Sequence, residues 1–211
     1  MEELAQLAQL GIIPIDYAVL RSLFSDYRSP RNKIAHLEQT GKIIRLKRGM
    51  YVVSPKISKQ LLSVELVANH IYGPSYVSME SALRYYSLIP EKVHTIRSMT
   101  ANRSRIFENP VGNFKYITVS DSYYSIGINQ QSVENKYTFL IATPEKALCD
   151  MITATPQLRI QSEKALITYL EEDLRFEMSG LDHMNADIIR KCINTGKKKE
   201  VLKLLLKLLQ A

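Results

Sequence analysis

Only two cysteines occur in the 211 residues, Cys149 and Cys192, and neither has another cysteine or a histidine cluster near it in sequence. That excludes a disulfide framework and a zinc-binding spacing, and it predicts two buried thiols. The four histidines, at 36, 70, 94 and 183, are widely separated, and none falls in a ligand spacing such as H-x₃-H. No metal and no cofactor is expected. Glycine is scarce too, with eight in the chain. There is no G-x-G-x-x-G, no G-x-x-x-x-G-K-[ST] and no G-x-S-x-G, so neither a phosphate-cradling loop nor a nucleophile elbow is indicated. No run approaches the roughly 20 apolar residues that a membrane-spanning helix needs. The opening MEELAQLAQLG carries two acids where a signal peptide would be basic, so a cytoplasmic protein is expected.

What is present is a core and an uneven charge. Hydrophobic residues make up 45% of the chain, enough for one large domain or two small ones. Between Arg28 and Lys56 stand eight basic residues against a single acid, Glu38, a local balance of +7. The whole chain is also at +7, so everything outside that stretch is electrically balanced.

The charged stretch has a legible plan. Leu4, Leu7 and Leu10 keep helical spacing before Gly11, and Ile15 to Phe24 reads as a second helix with Val19, Leu20, Leu23 and Phe24 on one side. Ser29-Pro30 supplies a cap and a first-turn proline, and Gly41 a stop, for a third helix over about 30–40. KIIRLKR, Gly49 and MYVV then read as a two-stranded basic hairpin. Three helices and a hairpin predict a winged helix-turn-helix over 1–56, whose last helix enters the major groove of DNA. An ordinary cap with a solvated basic face is the plainer alternative.

With Ile34 and Leu37 facing the core, Asn32, Ala35, His36 and Gln39 point outward, flanked by Arg31, Lys33 and Thr40. Asn pairs bidentately with adenine and Arg with guanine, a small Ala35 permits close approach, and Arg31 is placed to reach either a base or a phosphate. Lys42, Arg45, Lys47 and Arg48 on the hairpin are expected to hold phosphates, with positioning as their main role. If about four such cations neutralise phosphates, log K against log salt slopes at roughly −3.6. One module makes a small interface, so two copies on a repeat-containing operator are expected.

The boundary is placed in Ser54 to Gln60, and residues 60–211 read as a mixed α+β domain ending in helices. Ser78 caps a helix closed by Pro90, and segments 93–100, 113–119, 123–129 and 137–142 are strand-like, with YTFLIA expected at the centre of a sheet. Thr143-Pro144-Glu145 opens a helix, and others follow over about 161–172, 184–194 and 199–210. The last, KKKEVLKLLLKLLQ, is too short to span a bilayer and is expected to dock on its own domain. Arg97, Arg103 and Arg105 form a second basic cluster, read either as a second anion- or protein-binding partner surface or as a solvated loop. A metal-dependent nuclease would have to be assembled from Asp121, Glu145, Lys146 and Asp150, of which Glu145 and Lys146 read more simply as a first helical turn.

The segments LEQTGKIIRLKRGMYVV, GPSYVSMESALRYYSLIPEKVHTIRSMTANRSRIF, GNFKYITV and TPEKALCDMI resemble the AbiEi antitoxin family of type IV toxin-antitoxin systems over about residues 15 to 155. The resemblance implies a non-enzymatic DNA-binding autorepressor whose larger domain counters a nucleotidyltransferase-like toxin in phage resistance. After about residue 156 no motif aligns. A winged-helix-targeted nuclease, and a plain regulator whose larger domain senses a ligand or dimerises, are the rival readings.

Overall fold

The protein is seen in a computed structural model that describes residues 2–90, 94–134 and 136–210. Helix α1 (Glu2–Gln9) buries Leu7 and ends ahead of Gly11, whose φ of +61° suits a glycine. The segment from Ile15, expected to be wholly helical, begins as a short strand β1 (Ile15–Asp16) and turns helical only as α2 (Tyr17–Leu23). Its strand start pairs Ile15 with Tyr51, so a sheet contact outweighs local helical spacing. Val19 is consequently 46% exposed, while Leu20 and Phe24 are buried.

Helix α3 (Pro30–Gln39) follows its sequence signals, with Pro30 in the first turn and Gly41 in the left-handed conformation just beyond its end. Strands β2 (Ile43–Lys47) and β3 (Met50–Val53) are antiparallel, and β1 joins them in a sheet of order β1-β3-β2. The expected hairpin is the β2–β3 pair, and β1 adds a third strand to it that was not expected.

This sheet is buried on two sides. Ile43, Tyr51 and Val53 pack with Leu7, Ile15, Leu20, Phe24, Ile34 and Leu37 in a small core. On the other side Leu46, Met50 and Val52 belong to the main core of the rest of the molecule. A strand with both faces covered reads as an unbroken apolar run, and MYVV is such a run. The expected boundary, Ser54 to Gln60, contains a one-turn helix α4 (Pro55–Ser58), whose first turn is capped by the Ser54 hydroxyl at 3.4 Å from the Lys56 amide.

The larger part opens with α5 (Val64–Ile71), capped by Ser63, then β4 (Ser75–Val77) and α6 (Met79–Tyr85). Strands β5 (Thr95–Thr100), β6 (Arg105–Asn109) and β7 (Gly112–Thr118) follow, then a short α7 (Asp121–Tyr124). The strand expected over 93–100 is seen from Thr95, and Val93 lies outside the described residues. Strands β8 (Ile128–Val133) and β9 (Tyr137–Ala142) lead into α8 (Pro144–Ala154). Helix α9 (Glu163–Thr168) runs on as a π turn over Tyr169–Asp173, a 3₁₀ turn spans Met178–His183, and α10 (Ala186–Thr195) and α11 (Lys199–Leu208) complete the order.

The six strands form one sheet of order β6-β7-β5-β4-β9-β8, parallel between β5 and β7 and between β4 and β9, antiparallel elsewhere. The architecture is α+β. Strand β9, expected to be central, lies next to the edge, with Thr138 and Leu140 exposed. Helix α11 docks on its own domain through Val201, Leu202 and Leu205, with Lys203 facing solvent. No helix among the described residues is long and apolar enough to cross a membrane.

Candidate nucleic-acid interface

Helix α3 divides its residues as a 3.6-residue period requires. Ile34 and Leu37 are buried, and Arg31, Asn32, Ala35, His36 and Gln39 are exposed together on the opposite side. Asn, His, Gln and Arg supply hydrogen-bond donors and acceptors, and Ala35 leaves a shallow place between them.

The flanking cations divide into held and available groups. Lys33 and Lys42 both turn to Glu3 of α1, Lys33 in a close ion pair and Lys42 at 3.5 Å. The hydrogen bond from Lys33 holds the Glu3 carboxyl below the usual carboxylate range, and the same bond keeps Lys33 protonated to higher pH than a free lysine. Tyr27 completes the clamp, its hydroxyl donating to Glu3 at 3.3 Å and its ring lying 4.7 Å from the Lys33 nitrogen. Glu3 is a neighbour of this face that sequence reasoning missed, because 30 positions separate it from Lys33 and no local pattern links them.

On the hairpin, Arg45 pairs loosely with Glu38 at 3.7 Å and stays 49% exposed. Lys47, expected to hold phosphate, instead donates to the Ile71 carbonyl at the end of α5, 2.5 Å away. The bulge between Arg45 and Lys47 breaks the alternation of the strand there. Arg48 at the turn, Arg31 on α3 and Arg28 before it are exposed and have no ion pair with any described residue. A groove of about 520 Å³ separates the hairpin from the β6–β7 turn, lined by Glu38, Arg45, Arg48, Glu108 and Asn109 among others.

The second basic cluster does not stay together. Arg105 lies opposite Tyr116, and Tyr116 lies opposite Ser98, so all three share one face of the six-stranded sheet. Arg97, next to Ser98, projects from the other face, where it pairs with Glu80 at 3.0 Å. Arg103 and Arg105 remain exposed on the α5 side. Residues adjacent in sequence are thus split by the pleat.

The residues considered for a nuclease do not open onto a site. Lys146 and Asp150 of α8 are both 0% exposed and paired at 2.9 Å. Asp150 also accepts from Ser78 at 2.6 Å and Tyr76 at 3.1 Å, and Lys146 donates to the Tyr123 carbonyl at 3.2 Å. Burial, with the Asp150 charge second, keeps the Tyr76 phenol protonated far above its ordinary range. Gly127 makes room for this pair: it sits at φ +60°, and a Cβ there would lie 2.7 Å from the Lys146 Cβ. Glu145 is buried beside the pair and Asp121 is exposed at the start of α7. No group of three or more acidic, histidine or cysteine side chains among the described residues is placed to hold a metal ion. Cys149 and Cys192 are free and buried.

No protein-family model matches the chain, and no curated protein matches it by sequence. Among solved structures, the chain is similar to the RV2827C protein from Mycobacterium tuberculosis, with a TM-score of 0.53 and 12% identity. The likeness covers 97% of this chain and 79% of that one, and at this identity it is a likeness of fold.

Proposed function

We propose that the chain is a DNA-binding autorepressor without catalytic activity, whose N-terminal unit is a winged helix-turn-helix with α3 as the recognition helix. The observation that carries this is the exposed face of α3, where Arg31, Asn32, His36 and Gln39 surround Ala35 on a helix anchored by Ile34 and Leu37. That face offers bidentate partners for bases, and Arg28, Arg31, Arg45 and Arg48 surround it with exposed positive charge for phosphates. Lys33 and Lys42 serve to fix α1 against α3 through Glu3, and Lys47 to fix the hairpin to α5. Because a single unit buries little surface, two copies on repeated half-sites supply useful specificity.

The antitoxin part of the reading rests on the sequence resemblance over about residues 15 to 155. In it, the larger domain counters a nucleotidyltransferase-like toxin encoded beside this gene, in the cytoplasm. The nuclease reading loses support because Lys146 and Asp150 satisfy each other in the core, out of reach of a substrate.

One bacterial strain tests both halves. A reporter driven by the DNA upstream of this gene is expected to be repressed by the full chain and derepressed by Asn32→Ala, since each bidentate base contact discriminates by about 1–3 kcal/mol. In the same strain, induction of the adjacent gene is expected to arrest growth unless the chain is co-expressed. An unrepressed reporter contradicts the regulator reading, and arrest that the chain does not relieve contradicts the antitoxin reading.

A further inference from the structure

We infer that Arg103 and Arg105 of the larger domain extend the phosphate-binding surface, so that one DNA duplex is held by both parts of the chain. The inference rests on the DNA-binding reading above and enlarges its footprint beyond the helix and hairpin.

The seam between the two parts brings these arginines to the hairpin. Lys47 of β2 donates to the carbonyl of Ile71, and the next residue, Tyr72, has the Arg105 guanidinium 5.4 Å from its ring centroid. The Tyr72 hydroxyl donates to the Arg103 carbonyl at 3.1 Å, which fixes the backbone of the loop ahead of β6. At the other end of β6, the Asn109 amide donates to the Leu46 carbonyl at 3.1 Å. Strand β6 is therefore tied to the hairpin, directly at Asn109 and at Arg105 through Tyr72.

Charge and orientation agree with this. Arg105 is on the sheet face that carries α5, since it lies opposite Tyr116, whose hydroxyl donates to the Ala68 carbonyl. Both arginines are exposed, and neither has an ion pair with a described acid. The nearest carboxylate along the strand, Glu108, alternates to the opposite face with Asn113. An Arg stacked on a tyrosine keeps its N–H edge free while losing rotamer freedom, which suits a phosphate contact. Arg103 and Arg105 thus add exposed, unpaired positive charge at a strand tied to the hairpin, while Glu38 and Glu108 line the groove beside Arg48.

The test is the salt dependence of binding of the full chain to a fluorescently labelled duplex of its own upstream DNA. With about six phosphate contacts, the slope of log K against log KCl is expected near −5.4, and Arg103→Ala with Arg105→Ala should reduce it to about −3.6. Replacing both by Lys should restore most of the slope. Arg97→Ala, on the opposite face, should leave it unchanged. An unaltered slope in the double alanine variant, with its thermal midpoint retained, overturns the inference while leaving the DNA reading intact, as does an equal loss in Arg97→Ala. Absence of duplex binding by the parent chain would instead overturn the DNA reading itself.

Discussion

Replacing Arg31, Arg45 and Arg48 together with alanine is expected to weaken duplex binding by on the order of 10²- to 10³-fold, from about 1–1.5 kcal/mol per charge-assisted phosphate contact. The fold should not change. All three side chains are exposed, and the one ion pair lost, Arg45 to Glu38 at 3.7 Å, is a surface pair worth about 0–1 kcal/mol. The triple variant should therefore melt close to the parent while its anisotropy titration shifts to higher protein concentration. The double variant of Arg45 and Arg48 alone should lose affinity for cognate and scrambled duplexes about equally, because phosphate contacts carry no sequence information. Parent-like affinity in a folded triple variant would refute this assignment of the surface.

The second large effect concerns stability. Asp150→Ala is expected to destabilise the protein by roughly 3–5 kcal/mol, because it leaves a buried ammonium without its counter-ion. Lys146 would keep the Tyr123 carbonyl and the faces of the Tyr123 and Tyr76 rings, none of them a counter-charge, while the hydroxyls of Tyr76 and Ser78 would lose their acceptor. A loss of that size is a large fraction of the 5–15 kcal/mol typical of a folded domain. Lys146→Met combined with Asp150→Asn should recover much of it, since the charge goes and an acceptor for both hydroxyls stays. Urea unfolding midpoints at constant m-value give the comparison. A change below about 0.5 kcal/mol in Asp150→Ala, the size of an ordinary surface substitution, would show that the pair does not hold α8 to β4.

The exposed face of α3 was legible because it depends on local periodicity. Ile34 and Leu37 three residues apart determine which side of α3 is wet, and Pro30 and Gly41 mark where the helix lies, although the Ser29 side chain makes no cap hydrogen bond. What was not legible depends on distant partners. MYVV contains no polar residue, so the sequence does not distinguish a hairpin covered on one side from one that also closes onto a second core. The loss of Lys33, Lys42 and Lys47 from the free charge follows from that same three-dimensional closure, through Glu3 and the end of α5. Arg97 and Arg105 looked like neighbours until strand register put them on opposite faces. The buried pair at 146 and 150 has the same i,i+4 spacing as an ordinary surface ion pair, and only its distant cover, Tyr76 of β4, Ser78, Tyr123 of α7 and the Gly127 turn, makes it different.

The central claim is that the outward face of α3 lies against DNA, and a photo-cross-link tests it most directly. Both native cysteines are buried, so a cysteine introduced at Ala35 can be labelled selectively with a photoreactive maleimide. A control label at Gln130 sits on β8, the edge strand farthest from the hairpin, five strand spacings or roughly 24 Å across the sheet from β6. With duplex DNA from the upstream region, irradiation is expected to join the Ala35→Cys protein to the DNA and to leave the Gln130→Cys protein unjoined. No cross-link at position 35, or equal cross-linking from both positions, would contradict the account.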